Sequence, residues 1–234
     1  MAHAAEIRVL SPGVVFNAGL LDLASEFSTK TGIKVLVLPD LMGRIEGDMR
    51  TREPPPDLVV LPMDMMGTAA LKGDIDGRTF TPLGRVEVGL AVKAGAPHPD
   101  ISTVDKLVAA LRGAREVIYS NPAGGMSMEA GIIDRLLKRP EFSGVHAVVS
   151  AKGEGGQALA RGEGDMALQL ICEIYPYPQI SLVGPLPPEL ETHIDSAIAV
   201  TARGTDPNDA LDFIRYITRP EAAPVWKKKG LDRF

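Results

Sequence analysis

Residues Glu116–Leu137 read EVIYSNPAGGMSMEAGIIDRLL. Val117, Ile118 and Tyr119 have strand character. The small residues of Ser120–Gly125 form a loop, and Ile132, Ile133, Leu136 and Leu137 then recur at helical spacing within Met128–Leu137. A strand that runs through glycines into a helix start suits an anion, because the first helix amides have no intrahelical acceptor and the dipole favours negative charge there. Gly124 and Gly125 would let a ligand approach the backbone, Ala123 and Met126 flank them, and Ser120 and Ser127 add hydroxyls. The same pattern also serves an ordinary strand-to-helix turn that needs small residues only for packing. The spacing matches neither G-x-x-x-x-G-K-[ST] nor G-x-G-x-x-G, so a nucleotide fingerprint is absent.

Outward from this stretch the chain keeps alternating apolar strands with helices. Ile7–Leu10 reads as a strand, Ser11-Pro12-Gly13 as a turn, and Leu20, Leu21, Leu23, Ala24 and Phe27 as the face of a helix closed by Thr31-Gly32. Ile33–Leu38 and Leu58–Leu61 are further strands. Pro39–Gly43 reads as a loop before a helix at Arg44–Arg52, and Met63–Leu71 as another helix. Val86–Lys93 alternates more and reads as a strand crossing into a second lobe. Beyond the opening stretch come strands at Val145–Val149, Ala167–Ile171, Ile180–Val183 and Ile194–Thr201, and helices at Gly155–Arg161 and Pro207–Ile217. A last helix spans Thr218–Gly230, with Pro220 able to start it. Such alternation predicts a parallel α/β sheet covered on both faces. The 234 residues suffice for two lobes, expected at 1–84 with 186–234 and at 85–185.

Charge and composition narrow the classes. A net charge of -5 without any basic run argues against nucleic-acid binding, while local amides and one arginine can still hold an anion. No apolar run is long enough to span a bilayer, so membrane insertion is not expected. The single cysteine, Cys172, lies in the apolar run ALQLICEI and reads as a buried structural thiol. His3, His98, His146 and His193 are scattered without metal-ligand spacing. No metal site and no cofactor are implied. Ala2-His3-Ala4 resembles the tail of a secretory cleavage site, which leaves periplasmic and cytoplasmic locations both open.

Several pieces taken in order resemble the type 2 periplasmic binding-protein fold, in its molybdate-binding-protein-like group. They are IRVLSPG at 7–13 with LLDLASEFSTKTGIKV at 20–35, PPPDLVVLPMDMM at 54–66, GRVEVGLAVKAGAP at 84–97, ALARGEGDMALQ at 158–169 and ITRPEAAPVWKKKGL at 217–231. The resemblance covers nearly the whole chain. It implies two Rossmann-like α/β lobes with a ligand cleft between them. YSNPAGGMSME, LQLICEI and VGPLPPELE look most like the branch that contains aconitate isomerase. This chain departs from that branch at Pro122 and Gly124, which replace small polar residues, and at Ser127, where an aromatic is common.

The resemblance places a ligand among four loops: Ser11–Gly13, Leu41–Arg44, Met63-Asp64 and Ser120–Ser127. Ser11 ends a strand and offers a hydroxyl, or simply makes a turn. Gly13 follows it. Arg44, after Met42 and Gly43, could clamp a carboxylate or be a solvated helix-start arginine. Asp64 could be a base or a turn residue. Gln169 lies in an apolar strand, where its amide needs partners. Asp64, Tyr119, Ser127 and Glu129 all remain open as the base, so the catalytic residue stays unassigned.

Two functions follow from the resemblance. One is a cofactor-independent isomerase that shifts a proton and a double bond within a small polycarboxylate. The other is the solute-binding protein of an ABC transporter for molybdate-like oxyanions or small organic anions, with a permease as partner. The methionines Met42, Met63 and Met126 beside few hydroxyls suit a carbon skeleton better than molybdate.

Overall fold

The computed structural model describes residues 6–124 and 128–234. Gly125, Met126 and Ser127 of the glycine loop, and Ala2-His3-Ala4, lie outside the described residues. Two compact units divide the chain, Met1–Val86 with Asp195–Phe234 and Glu87–Ile194.

The first unit opens with β1 (Glu6–Pro12), a single turn α1 (Gly13–Val15), α2 (Leu21–Thr31), β2 (Lys34–Asp40), α3 (Met42–Thr51), β3 (Leu58–Pro62), α4 (Met63–Leu71) and the start of β4 (Thr81–Lys93). The second unit takes the rest of β4, then α5 (Val104–Gly113), β5 (Val117–Tyr119), α6 (Met128–Leu137), β6 (Ala147–Val149), α7 (Gly155–Ala160), β7 (Met166–Leu170), α8 (Ile171–Ile174) and β8 (Ile180–Pro185). The chain closes with β9 (His193–Val200), α9 (Pro207–Thr218), α10 (Ala223–Lys228) and β10 (Asp232–Arg233).

In the first unit β1 runs parallel to both β2 and β3. β3 pairs antiparallel with β9, and β10 pairs antiparallel with the opening of β4. In the second unit β5 runs parallel to β6 and β7, while β4 runs antiparallel to β7 and β8. The α/β class expected from the alternation stands. The all-parallel sheet does not: β4 and β9 run counter to the strands they join. Each unit keeps a parallel trio, whose strands need helix-bearing crossovers.

The apolar pattern accounts for the packing. β3 is buried along its whole length, as a strand covered on both faces must be. Leu10, Ile45, Met49, Val59, Leu61, Met66, Ala197 and Ala199 form one core in the first unit. Ala91, Leu159, Ala167, Ile174 and Ile180 form one in the second. Gly32 ends α2 in the left-handed region at φ 76, its N–H donating to the Ser28 carbonyl. Thr103 caps α5, its Oγ1 accepting from the Lys106 amide.

Several boundaries differ from the sequence reading: the helix read at Thr218–Gly230 is α10 at Ala223–Lys228, Ile171 starts α8 rather than ending a strand, and three more bear on the candidate residues. Ser11 and Pro12 belong to β1 rather than to a turn, because they stay in register with Pro39 and Asp40 of β2. α3 begins at Met42, so Met42 and Gly43 are helical rather than in a loop; the extended backbone of Leu41 sets the start. β4 begins at Thr81, lengthened by its pairing with β10 at Gly84 and Arg85.

Candidate functional site

At the carboxyl ends of the parallel trio in the second unit, one neutral amide ties five residues together. Gln169, on β7 opposite Gly89 of β4, is fully buried. Its Oε1 accepts from Ser120 Oγ at 3.0 Å, from the Gly155 amide at 3.1 Å and from the Gly156 amide at 3.5 Å. Its Nε2 donates to Glu129 Oε1 at 3.0 Å and to Glu173 Oε2. Ser120 follows β5, Glu129 sits in the first turn of α6, Gly155 starts α7 and Glu173 lies on α8. A buried amide must find partners, and here both of its ends are fully used.

Three carboxyl groups gather around this amide. Glu129 is 1% exposed and Glu173 5% exposed, while Glu154 is half-buried just ahead of α7. Burial, then the charges of Glu129 and Glu154, push the Glu173 carboxyl well above its ordinary range. Burial and the Glu129 charge raise Glu154 to about 7. Among the described residues, Oε2 of Glu129 has no hydrogen-bond partner. Like charges held together out of water cannot all ionise, so the cluster keeps protons at neutral pH. No group of side chains among the described residues has the arrangement to hold a metal ion.

Close packing builds the cluster. A Cβ on Gly155 would lie 2.8 Å from Tyr119 Cα and 3.0 Å from the Ile118 carbonyl oxygen. Only glycine lets α7 sit this tightly on β5, and that approach aims the Gly155 amide at Gln169 and Ser120. Tyr119 is occupied elsewhere, its hydroxyl donating to Asp134 Oδ1 at 3.3 Å. Burial and the Asp134 charge push its phenol up, so it keeps its proton. Cys172 is buried, and burial raises its thiol further, as suits a structural residue.

The first unit also brings named residues to the carboxyl ends of its trio. Ser11 is fully buried and donates to the Pro12 carbonyl at 3.0 Å. A Cβ on Gly13 would meet nothing within 4 Å. Arg44 is already engaged: its Nε and Nη2 reach Asp40 Oδ1 at 3.0 and 2.7 Å. Arg52 Nη2 donates to Asp40 Oδ2 at 2.9 Å and also to Asp48. Burial would raise Asp40, but its interactions with Asp48, Arg44 and the Leu41 amide more than reverse this and bring it to about 2. Gly43 is exposed, and Asp64 is exposed in the first turn of α4. Met42 and Met63 are half-buried and pack on the first unit's core.

Of the loop 120–127, Ser120 is buried at Gln169, and Ala123 is exposed with its amide donating to Asn121 Oδ1 at 2.9 Å. Gly124 ends a short turn over Pro122–Gly124. Glu154 and Glu173 escaped the sequence reading. The readable signal for Glu173 was a carboxylate inside the apolar run LQLICEI. For Glu154 it was the pair of glycines that follows.

Known proteins agree with this architecture. A curated aconitate isomerase from Pseudomonas sp is 24% identical over 229 residues, spanning 96% of this chain and 87% of its own. The periplasmic molybdate-binding protein of Azotobacter vinelandii superposes with a TM-score of 0.74 at 16% identity, over 96% of this chain and 98% of its own. The tungstate ABC transporter structure from Geobacter sulfurreducens gives a TM-score of 0.67 at 16% identity, over 95% and 98%. These structures share the fold of type 2 periplasmic binding proteins. The family model for bacterial extracellular solute-binding proteins matches residues 7–232, and the chain belongs to that family.

Proposed function

We propose that this protein binds a small organic polycarboxylate and isomerises it by an allylic shift of a proton and a double bond. The carboxyl cluster around Gln169 carries this reading. It stands at the carboxyl ends of parallel strands, where α/β folds bind ligands, and holds protons near neutral pH, as acid–base chemistry requires. A receptor that only holds an anion has no use for a carboxyl poised to move a proton. The relative named aconitate isomerase supports the same chemistry. Ser120, Ala123, Gly124, Gly125, Met126 and Ser127 are the proposed ligand-binding segment, with Gln169 behind it. The reading invokes no cofactor.

A second reading rests on the family and on the molybdate and tungstate neighbours. In it the protein is a non-catalytic receptor for an oxyanion or a small organic anion, and hands its cargo to an ABC transporter permease. The carboxyl cluster counts against a tetrahedral oxyanion, which wants hydroxyl and amide donors.

A thermal-shift series with molybdate, cis-aconitate and trans-aconitate separates the two. A ligand at about 100 times its Kd adds about 2.7 kcal/mol to folded stability, several degrees for a chain of this size. The isomerase reading expects that rise with the tricarboxylates and interconversion of the two isomers by proton NMR. A rise with molybdate alone would sink it.

A further inference from the structure

The three carboxyls of the cluster differ in access. Glu129 and Glu173 are sealed, and each has one oxygen held by the Gln169 amide. Glu154 is half-buried at the edge, on the residue before the Gly155 amide that bonds to Ser120 and Gln169. The tight seat of Gly155 on Tyr119 fixes where Glu154 stands. A proton-transfer group must reach the carbon it works on and still be set by its surroundings. Glu154 alone among the three meets both conditions.

We propose that Glu154 is the catalytic residue that takes a proton from the substrate carbon and returns it to the far allylic carbon. This assignment rests on the isomerase reading. The step balances within the substrate. Glu154 as carboxylate accepts the methylene proton, and the electron pair of the broken C–H bond becomes the new C=C. The displaced π pair forms a C–H bond at the far carbon with the proton that Glu154 gives back. One C–H bond breaks, one forms, and the carboxylate is regenerated with no oxidant or reductant. The titratable groups around it are Glu129 from α6, Cys172 and Glu173 from α8, and Tyr177. A carboxyl held near 7 has usable amounts of both protonation states at neutral pH.

The test follows conversion of trans-aconitate to cis-aconitate by proton NMR, with a thermal shift on each variant. Wild type converts, and Glu154→Gln is expected to slow conversion about 100-fold or more while keeping the ligand-induced rise in melting temperature. Conversion within about threefold of wild type in Glu154→Gln overturns the assignment alone. Binding without conversion in wild type overturns the isomerase reading and the assignment with it. Should Glu154→Gln fail to melt cooperatively, Glu154→Asp decides. Its carboxyl is drawn back by one methylene, so at least about a tenfold loss supports the proposal and an unchanged rate overturns it.

Discussion

In an apolar strand a leucine would pack better than Gln169, yet the amide ties Ser120, two glycine amides and two glutamates into one network. Replacing it by leucine keeps the volume and strands these partners out of water. Each buried polar group left unsatisfied costs about 1–3 kcal/mol. Gln169→Leu is therefore expected to lose on the order of 3 kcal/mol or more in urea unfolding, and a loss below about 1 kcal/mol would mean the network is not closed by this side chain. Gln169 was legible because an amide among Leu and Ile demands partners. Its partner Glu173 obeys the same logic, but a strand-to-helix junction separates the two, so no single periodicity links them. Arg44 has a local partner. Asp40, four residues earlier at the end of β2, takes the guanidinium, a pairing that the reading of Arg44 as a ligand clamp left out.

The seat of α7 depends on a single residue, Gly155. Gly155→Ala puts a methyl against backbone atoms of β5 that cannot turn aside, so α7 must lift. Overpacking of this kind costs about 1–3 kcal/mol. The expected result is that loss in melting free energy together with weakened ligand binding, since the Gly155 amide leaves Gln169. Gly113, at the end of α5, has open space around its would-be Cβ and serves as the control; Gly113→Ala should be neutral or stabilising by up to about 1 kcal/mol. If both substitutions behave alike, the close seat of α7 is not what matters. Helices and parallel strands could be read in advance because their apolar periods are local. The extension of β4 could not, since it comes from pairing with β10 nearly 150 residues later.

Across the molecule, Asp40 and Glu154 shape stability against pH in opposite senses, and Glu173 acts in the same sense as Glu154. Asp40 falls from 3.8 to about 2 in the fold, so its contribution is complete above about pH 4 and is lost as the pH falls through 2. Glu154 rises from 4.5 to about 7, so the folded state binds its proton more tightly. Its contribution is complete below pH 4.5 and drains away as the pH climbs to 7. The unfolding free energy from urea titration should be higher at about pH 5 than at about pH 8, by an amount on the order of 1–3 kcal/mol. Glu154→Gln should lessen that slope, with Glu173 keeping its share, and a variant with the wild-type slope would remove Glu154 as a source.

The saturation of Gln169 also has a consequence for descent. Its oxygen already receives three donors and its nitrogen already serves two acceptors. A change at any one of these positions leaves a debt that only a second change can settle, because residues sharing a network couple rather than add. Ser120, Glu129, Gln169 and Glu173 are thus expected to change together rather than singly, so that a lineage abandoning this chemistry would rewrite several of them at once.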